Sequence, residues 1–431
     1  MIERLRAVDR WMGRRIWLSL FLLLFVLLVT GEGPAPGALE TGVNGVVNDV
    51  RFDFVSWEAE ALGTKFIHWL IHPQRYMTES DRSDFVRDYE QLLSDLRRLE
   101  GEIEAVYADP EVADPDAATV ALRADWGQIR AEAAARQSTS EAIIEEQVAT
   151  ILSREGLGFL GQPFPPVGLR FTPLPNVLVV SSRDKIETIH QVELEPGLGV
   201  ARQVEIEDSV DEAFDVSSLV VGIGGLSAWP AMVLEWPALD WITEVTSHEW
   251  THHYLDLRPL GWEYGESQTA RTINETTASI LGEEVGRRVL ARYYPELLPD
   301  PPLEEETDPE ASPPEAPAFD FRQEMYQTRV EVERLLAEGE IEAAEAYMEE
   351  RRAFFWEHGY RGIRKLNQAY FAFHGSYADA PGAAGEDPIG PAVRELWHQS
   401  DSLHSFLSQI AYITTFDELQ AAIATDTLRA E

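Results

Sequence analysis

The sequence predicts an α+β protein that is predominantly helical, with a small mixed or antiparallel sheet near the middle of the chain. Segments on both sides of the middle repeat apolar residues every three to four positions, as amphipathic helices do. Between residues 167 and 233 the pattern changes to short apolar runs bounded by Gly and Pro, which is typical of strands. A chain of 431 residues without Cys can bury a core, but no disulfide stabilises it.

The N-terminus predicts attachment to a membrane. Residues 1–15 are rich in Arg, and residues 16–31 are apolar and carry no charge. This order favours a transmembrane signal anchor whose basic end, residues 1–15, stays in the cytoplasm. Since the uncharged segment is short for a span of about 20 residues, a cleaved signal peptide is the alternative. We expect a single-pass protein of the cell membrane with most of the chain outside the cytoplasm, or a secreted protein if the signal is cleaved.

A helical N-terminal region is predicted for residues 32–160. Its clearest helix is Asp81–Tyr107, where Leu residues recur at helical spacing. Two further helices are predicted, Pro115–Gln137 and Ser140–Arg154. Together they form a helical scaffold before the sheet.

The sheet belongs to a core region predicted for residues 161–295. Its clearest strands are Val177–Val180 and Ile189–Leu194. Gly224–Pro230 follows the apolar run Ser218–Ile223. Its Gly and Pro residues are compatible with an exposed edge strand that binds an extended peptide. A plain loop is the alternative.

The most informative motif is His-Glu-x-x-His, which lies in a helix predicted for Asp240–Leu257. On a helix, His248 and His252 project from one face, so both imidazoles can bind a single Zn²⁺. Glu249 lies beside them, where it can take a proton from a metal-bound water. The alternative is two core histidines that happen to lie four residues apart, which would then need hydrogen-bond partners of their own.

A zinc site of this kind needs a third protein ligand. The next predicted helix, Gln268–Tyr293, carries Glu275 on a face that continues with small residues as far as Gly286. Small residues let two helix backbones approach closely, as a short ligand reaching across requires. The same stripe is also compatible with plain structural packing. The rival acidic ligands nearby are Glu263, Glu266, Glu283 and Glu284.

These motifs together resemble the gluzincin branch of zinc metallopeptidases. The resemblance covers about 60 residues, from Gly224 to Gly286, and includes Asn274–Glu275 on the second helix. Many relatives place an Asp where Ser279 stands. The resemblance implies a zincin-like catalytic core in which Glu249 is the general base for hydrolysis by a metal-activated water. The zinc ligands that it implies are His248, His252 and Glu275.

A second aromatic motif, Phe371–Tyr377, ends a helix predicted for Arg361–His374. Zinc peptidases commonly use a downstream Tyr or His to donate a hydrogen bond to the oxyanion. Tyr377 and His374 are therefore candidate catalytic residues, and Arg271 is a weaker one. Packing in the core is the alternative for such an aromatic helix end.

Beyond the predicted core, residues 296–319 form an acidic, Pro-rich loop, and residues 320–431 form a C-terminal helical subdomain. The helices predicted there are 320–339, 340–358, 361–374 and 391–413.

The net charge of −40 excludes nucleic acid and anionic membrane surfaces as partners. The hypothesis is zinc-dependent hydrolysis of a peptide or protein substrate outside the cytoplasm. A non-catalytic envelope scaffold or binding protein that keeps the zincin fold is the alternative. Hydrolysis of a non-peptide amide or ester fits the same motifs. The sequence leaves the oligomeric state and cleavage specificity open.

Overall fold

A computed structural model of the protein describes residues 38–298, 319–377, 382–385 and 387–430. The basic segment 1–15, the predicted anchor 16–31 and most of the acidic loop lie outside these residues. Within the described ranges, no helix is long and apolar enough to cross a membrane.

The chain divides into two compact units, with the boundary after Asp49. In the first, the described element is the helix α1, Leu39–Val46. The second begins at Val50 and contains the remaining described elements. It is predominantly helical, as predicted, and in place of the single predicted sheet its described residues form three small sheets of two or three strands.

The second unit begins with four helices. They are α2 (Phe54–Ile71), α3 (Glu79–Ala108), α4 (Pro115–Ala118) and α5 (Val120–Arg154). The prediction of two helices within the α5 range was wrong. Their predicted junction is helical because Gln137 donates to the Glu141 carboxylate one turn later, at 2.8 Å, and Ser140 is fully buried. Tertiary burial thus overrides the weak helix propensity of the Ser and Thr residues there.

The strands form small sheets. A hairpin pairs β1 with β2, a mixed sheet has the order β3–β8–β7, and an antiparallel sheet has the order β5–β4–β6. In the antiparallel sheet, Val179 lies opposite Gln191 and Leu219. A helix, α6, interrupts the region that was predicted as strands alone. The elements are β1 (Gly158–Phe159), β2 (Gln162–Pro163), β3 (Leu169–Phe171), β4 (Asn176–Ser181), β5 (Thr188–Leu194), α6 (Val200–Phe214), β6 (Ser217–Gly222), β7 (Gly225–Leu226) and β8 (Ala231–Val233).

Two helices pack closely at the centre of the unit. α7 (Leu239–Leu255) is followed by the short α8 (Pro259–Trp262) and then by α9 (Gln268–Tyr293). A Cβ atom on Gly282 of α9 would lie 2.9 Å from the Glu244 carbonyl oxygen of α7. One on Gly286 would lie 3.0 Å from the Glu244 nitrogen. The close approach predicted from the small residues of α9 is therefore confirmed.

The C-terminal helices differ from the prediction at two places. Asn367 caps a helix by accepting from the Tyr370 nitrogen at 3.0 Å, so the helix predicted for 361–374 begins at Gln368. The helix predicted for 391–413 is two helices, because Ser402 caps the second by accepting from the Ser405 nitrogen. The elements are α10 (Phe321–Ala337), α11 (Ile341–Glu357), α12 (Gln368–His374), α13 (Ile389–Gln399), α14 (Leu403–Ile410) and α15 (Phe416–Ala430).

One large hydrophobic core joins the N-terminal, central and C-terminal helices. It contains Tyr89 of α3, Ile144 of α5, Trp250 of α7, Val285 of α9 and Phe406 of α14, all nearly fully buried. A smaller core surrounds the C-terminal helices α10 to α12. The central pair α7 and α9 is therefore held from several sides, which fixes the positions of its side chains.

We predict that Gly282→Ala lowers the free energy of unfolding by about 1–3 kcal/mol, because the added methyl overpacks the contact with α7. The matched control is Gly127→Ala on α5, where a Cβ meets no atom within 4 Å. That variant should be neutral or stabilised by up to about 1 kcal/mol, since Ala favours a helix. Denaturant unfolding measures both, and equal stability of the two variants would contradict the close packing.

Candidate metal centre

α7 brings the two histidines of the motif together. The Nε2 atoms of His248 and His252 lie 3.1 Å apart, and their ring centroids are separated by 4.8 Å. From α9, Glu275 places its Oε2 atom 3.4 Å from His248 Nε2 and 3.6 Å from His252 Nε2. The structure therefore assembles the three residues that the sequence predicted as zinc ligands.

The Oε2 atom of Glu275 shows why a cation fits this position. The residue is 3% exposed, and the described residues offer this atom no hydrogen-bond partner. A buried carboxylate oxygen without a partner is costly, and a cation among the three side chains would satisfy it. Two imidazole nitrogens and one carboxylate oxygen are a donor set that Zn²⁺ binds. The residues present therefore fit a zinc ion.

Asn274 fixes the ring of His252. Its Oδ1 atom lies 2.8 Å from His252 Nδ1. Since an amide oxygen only accepts, His252 carries a proton on Nδ1, which leaves Nε2 as the ring nitrogen on the side of Glu275. In the sequence, Asn274 stands out only as the residue directly before Glu275. The signal that could have identified this contact is an Asn directly before the predicted ligand.

Charges within the cluster shift its pKa values strongly. Burial alone would raise the pKa of Glu275, but the facing His252 and His248 hold it well below its ordinary value. Burial alone would lower the pKa of His252, but the Glu275 carboxylate raises it to about 9. Without a cation, His252 therefore carries a second proton beside the Glu275 carboxylate. A metal ion bound there would displace that proton.

Glu249 lies under the edge of the mixed sheet. It is 6% exposed, and burial raises its pKa although His248 and His252 lower it in part. A Cβ atom on Gly225 of β7 would overlap the Glu249 carboxylate and lie 2.9 Å from Val245 Cγ1. The strand therefore passes directly over Glu249, and only Gly fits there. Of the two readings of Gly224–Pro230, the edge strand is confirmed at Gly225–Leu226.

Two tyrosines border the histidines. The Tyr264 hydroxyl donates to Glu275 Oε1, and its ring centroid lies 6.0 Å from that of His252. The Tyr377 ring lies 6.3 Å from that of His248, nearly parallel to it at 27°. Burial raises the pKa of both tyrosines well above 10, so both remain hydrogen-bond donors at neutral pH. Tyr264 was missed because it lies between two helices, where no periodic pattern marks it.

The other candidates lie around this cluster or away from it. Arg271 is buried, with its guanidinium 4.9 Å from the Tyr264 ring centroid. His374 is exposed, and its ring lies 4.3 Å from that of Tyr370, a residue outside the cluster. Of the two oxyanion candidates, the structure thus brings only Tyr377 to the histidines. The rival acids Glu263, Glu266 and Glu283 are exposed, and Glu284 pairs with Arg287 and Arg288.

Comparison with models of known protein families, with curated proteins and with solved structures gives no match for the chain. The interpretation of this site therefore depends on its own geometry.

We predict that Asn274→Ala weakens zinc binding by about 10–100-fold, because His252 loses the acceptor that orients its ring. Competition with a chromophoric chelator measures the affinity. Asn176→Ala is the matched control, since that side chain bonds to the Glu195 carbonyl in the antiparallel sheet and should leave the affinity unchanged. Equal affinity in the Asn274 variant and the wild type would show that this contact does not support a ligand.

Proposed function

We propose that the protein is a zinc-dependent peptidase with a zincin-like core that acts outside the cytoplasm. One observation carries the proposal. His248, His252 and Glu275 converge with a buried carboxylate oxygen left without a partner, and Glu249 lies beside them. The basic N-terminus and the uncharged segment 16–31 support the extracytoplasmic placement.

The number of protein donors supports a catalytic site over a structural one. Structural zinc sites close around four protein ligands, whereas catalytic sites use three and leave one position open. Within the described residues, the cluster of metal-ligating side chains consists of His248, His252 and Glu275. A zinc ion bound there would polarise the substrate carbonyl and lower the pKa of water in the open position.

Glu249 is the proposed general base. It receives a proton from the attacking water and delivers it to the amine that leaves when the peptide bond breaks. Its burial raises its pKa above the ordinary value for a carboxyl group, which favours acceptance of a proton from water. Gly225 leaves no room for another side chain over this carboxylate.

Tyr377 is the proposed donor to the oxyanion. The Tyr264 hydroxyl already donates to Glu275, whereas the described residues place no such acceptor on the Tyr377 hydroxyl. Its ring lies beside His248, on the border of the ligand cluster. A protonated donor in a buried site stabilises the charge that develops on the carbonyl oxygen during attack.

The edge strand β7 is the proposed binding place for the peptide backbone. It is one of the two edge strands of the mixed sheet, and Gly225 brings its backbone against Glu249. An extended peptide that adds to such an edge as a further strand gains backbone hydrogen bonds. Its scissile bond would then lie beside the general base, which favours a polypeptide over other amide or ester substrates.

We predict that Glu249→Gln keeps about one zinc per chain and lowers peptide hydrolysis by about 10²–10⁴-fold, because only the proton acceptor is removed. Elemental analysis and cleavage of a peptide library measure the two properties. Glu283→Gln, at an exposed acid of α9, is the matched control and should change neither.

Full hydrolysis by the zinc-loaded Glu249→Gln variant would contradict the role of Glu249. A wild-type protein that binds zinc and cleaves no member of the library would favour the scaffold alternative.

We also predict that Tyr377→Phe lowers kcat by about 10²–10³-fold, the loss typical of one oxyanion donor, while zinc content stays unchanged. His374→Ala should leave kcat unaltered, since that side chain is exposed and packs against Tyr370. Steady-state kinetics on one cleaved peptide tests both variants. The opposite ranking would assign the donor to His374.

A further inference from the structure

The helix α2 has its polar groups on the inside. Lys65 Nζ lies 2.8 Å from Glu141 Oε2 and 2.8 Å from Glu145 Oε1, both on α5. Trp57 and His68, on the same inward side, contact Thr172 and Thr139 through their ring nitrogens. The inward face of α2 is therefore held by an ion-pair network and polar contacts.

The outward face of α2 is apolar. Phe66 is 60% exposed, Trp69 is 66% exposed and Leu70 is 60% exposed. From Leu62 to Ile71, no exposed residue carries a charge, in a chain of which 26% is charged. Apolar patches of this kind on soluble proteins mark interaction surfaces. The residues of this outward face are Val55, Leu62, Phe66, Ile67, Trp69, Leu70 and Ile71.

We propose that the outward face of α2 docks onto the surface of a lipid bilayer. α2 is not long and apolar enough to cross a membrane, so it would lie in the interfacial region with its apolar side chains in the acyl boundary. Trp69, together with the exposed Tyr76 just beyond the helix, has the amphipathic ring that favours this region. The proposal does not rest on zinc binding or on peptide hydrolysis, but its choice of a bilayer rests on the predicted membrane anchor of the proposed function.

The length of chain before α2 favours a bilayer over another apolar partner. The uncharged segment predicted as an anchor ends near Thr30, and α2 begins at Phe54. At about 3.3–3.6 Å per residue, the intervening chain spans at most about 80 Å. An anchored chain therefore keeps α2 within reach of the same membrane, at a high effective concentration.

The charge of the face determines the type of lipid. The chain carries a net charge of −40, which repels anionic surfaces. Between Leu62 and Ile71 the outward face contributes no negative charge to this repulsion, because the exposed residues there are uncharged. The face therefore fits zwitterionic lipid, where burial of apolar area drives binding.

A cavity beside the outward face adds to the surface that lipid would cover. Its volume is about 1020 Å³, and Leu62, Phe66 and Trp69 of α2 form one wall. Trp229, which is 44% exposed, belongs to another wall. Docking would remove these side chains from water together with the helix face, while the charged residues that also line the cavity, among them Glu79, Arg82 and Arg154, keep part of it polar.

The test uses the full chain, in which a single introduced Cys is the only Cys. A nitroxide is attached to Phe66→Cys or to Leu70→Cys, and each protein is reconstituted into phosphatidylcholine bilayers. We expect an oxygen-to-nickel accessibility ratio at both positions several-fold above that at Val120→Cys. Val120, on α5, is an apolar residue that is 64% exposed and lies outside the outward face of α2. Circular dichroism checks that the labelled variants stay folded.

Two results would overturn the proposal. Water accessibility at residues 66 and 70 equal to that at 120 would show that the face stays in solvent. Labels shielded from both oxygen and nickel would show that protein covers the outward face. Spin–spin broadening would then identify that protein as a second copy of the chain. Without broadening, another segment of the same chain would be the covering protein.

Discussion

The distance between α7 and α9 is the constraint on which the candidate site depends. A Glu side chain is short, and Glu275 reaches the histidines of α7 only because Gly282 and Gly286 let the two backbones approach. The same device recurs at Gly225, which lets the edge strand pass over Glu249. These glycines therefore determine how close Glu275 and Glu249 lie to the histidines and to the edge strand.

That geometry buries two carboxylates, and burial of a charged group has a high cost in free energy. Glu249 and Glu275 are almost fully buried, next to a core that contains Trp250. Uncompensated buried ions cost several kcal/mol each, and removal of a partner is more destabilising than the pair is stabilising. The His pair compensates Glu275 in part, which is why the pKa of that carboxyl is low and the pKa of His252 is high. A bound cation would complete the compensation, so metal binding would be coupled to the stability of the central helices.

The sequence was informative wherever local periodicity decides the outcome. The spacing of His248 and His252 places both on one face of a helix, and the small residues of α9 predicted the close approach that brings Glu275 across. The bond from His252 to Asn274 and the position of Tyr264 could not be predicted, because they depend on the rotation of α9 and on the path of the chain between two helices. The outward face of α2 was also missed, since an apolar stripe on a helix does not itself show whether it faces the core or the outside. Zinc, the peptidase activity and the membrane anchor remain predictions.

Zinc K-edge X-ray absorption of the zinc-loaded wild-type protein tests the central claim most directly. The account predicts about one zinc per chain in a shell of nitrogen and oxygen at about 2.0–2.1 Å, with outer-shell scattering from two imidazoles. A zinc-loaded protein whose spectrum shows an oxygen shell without imidazole scattering would contradict it, as would a protein that retains no zinc after dialysis. Either result would leave His248 and His252 as partly or fully buried residues of α7 with no ligand role.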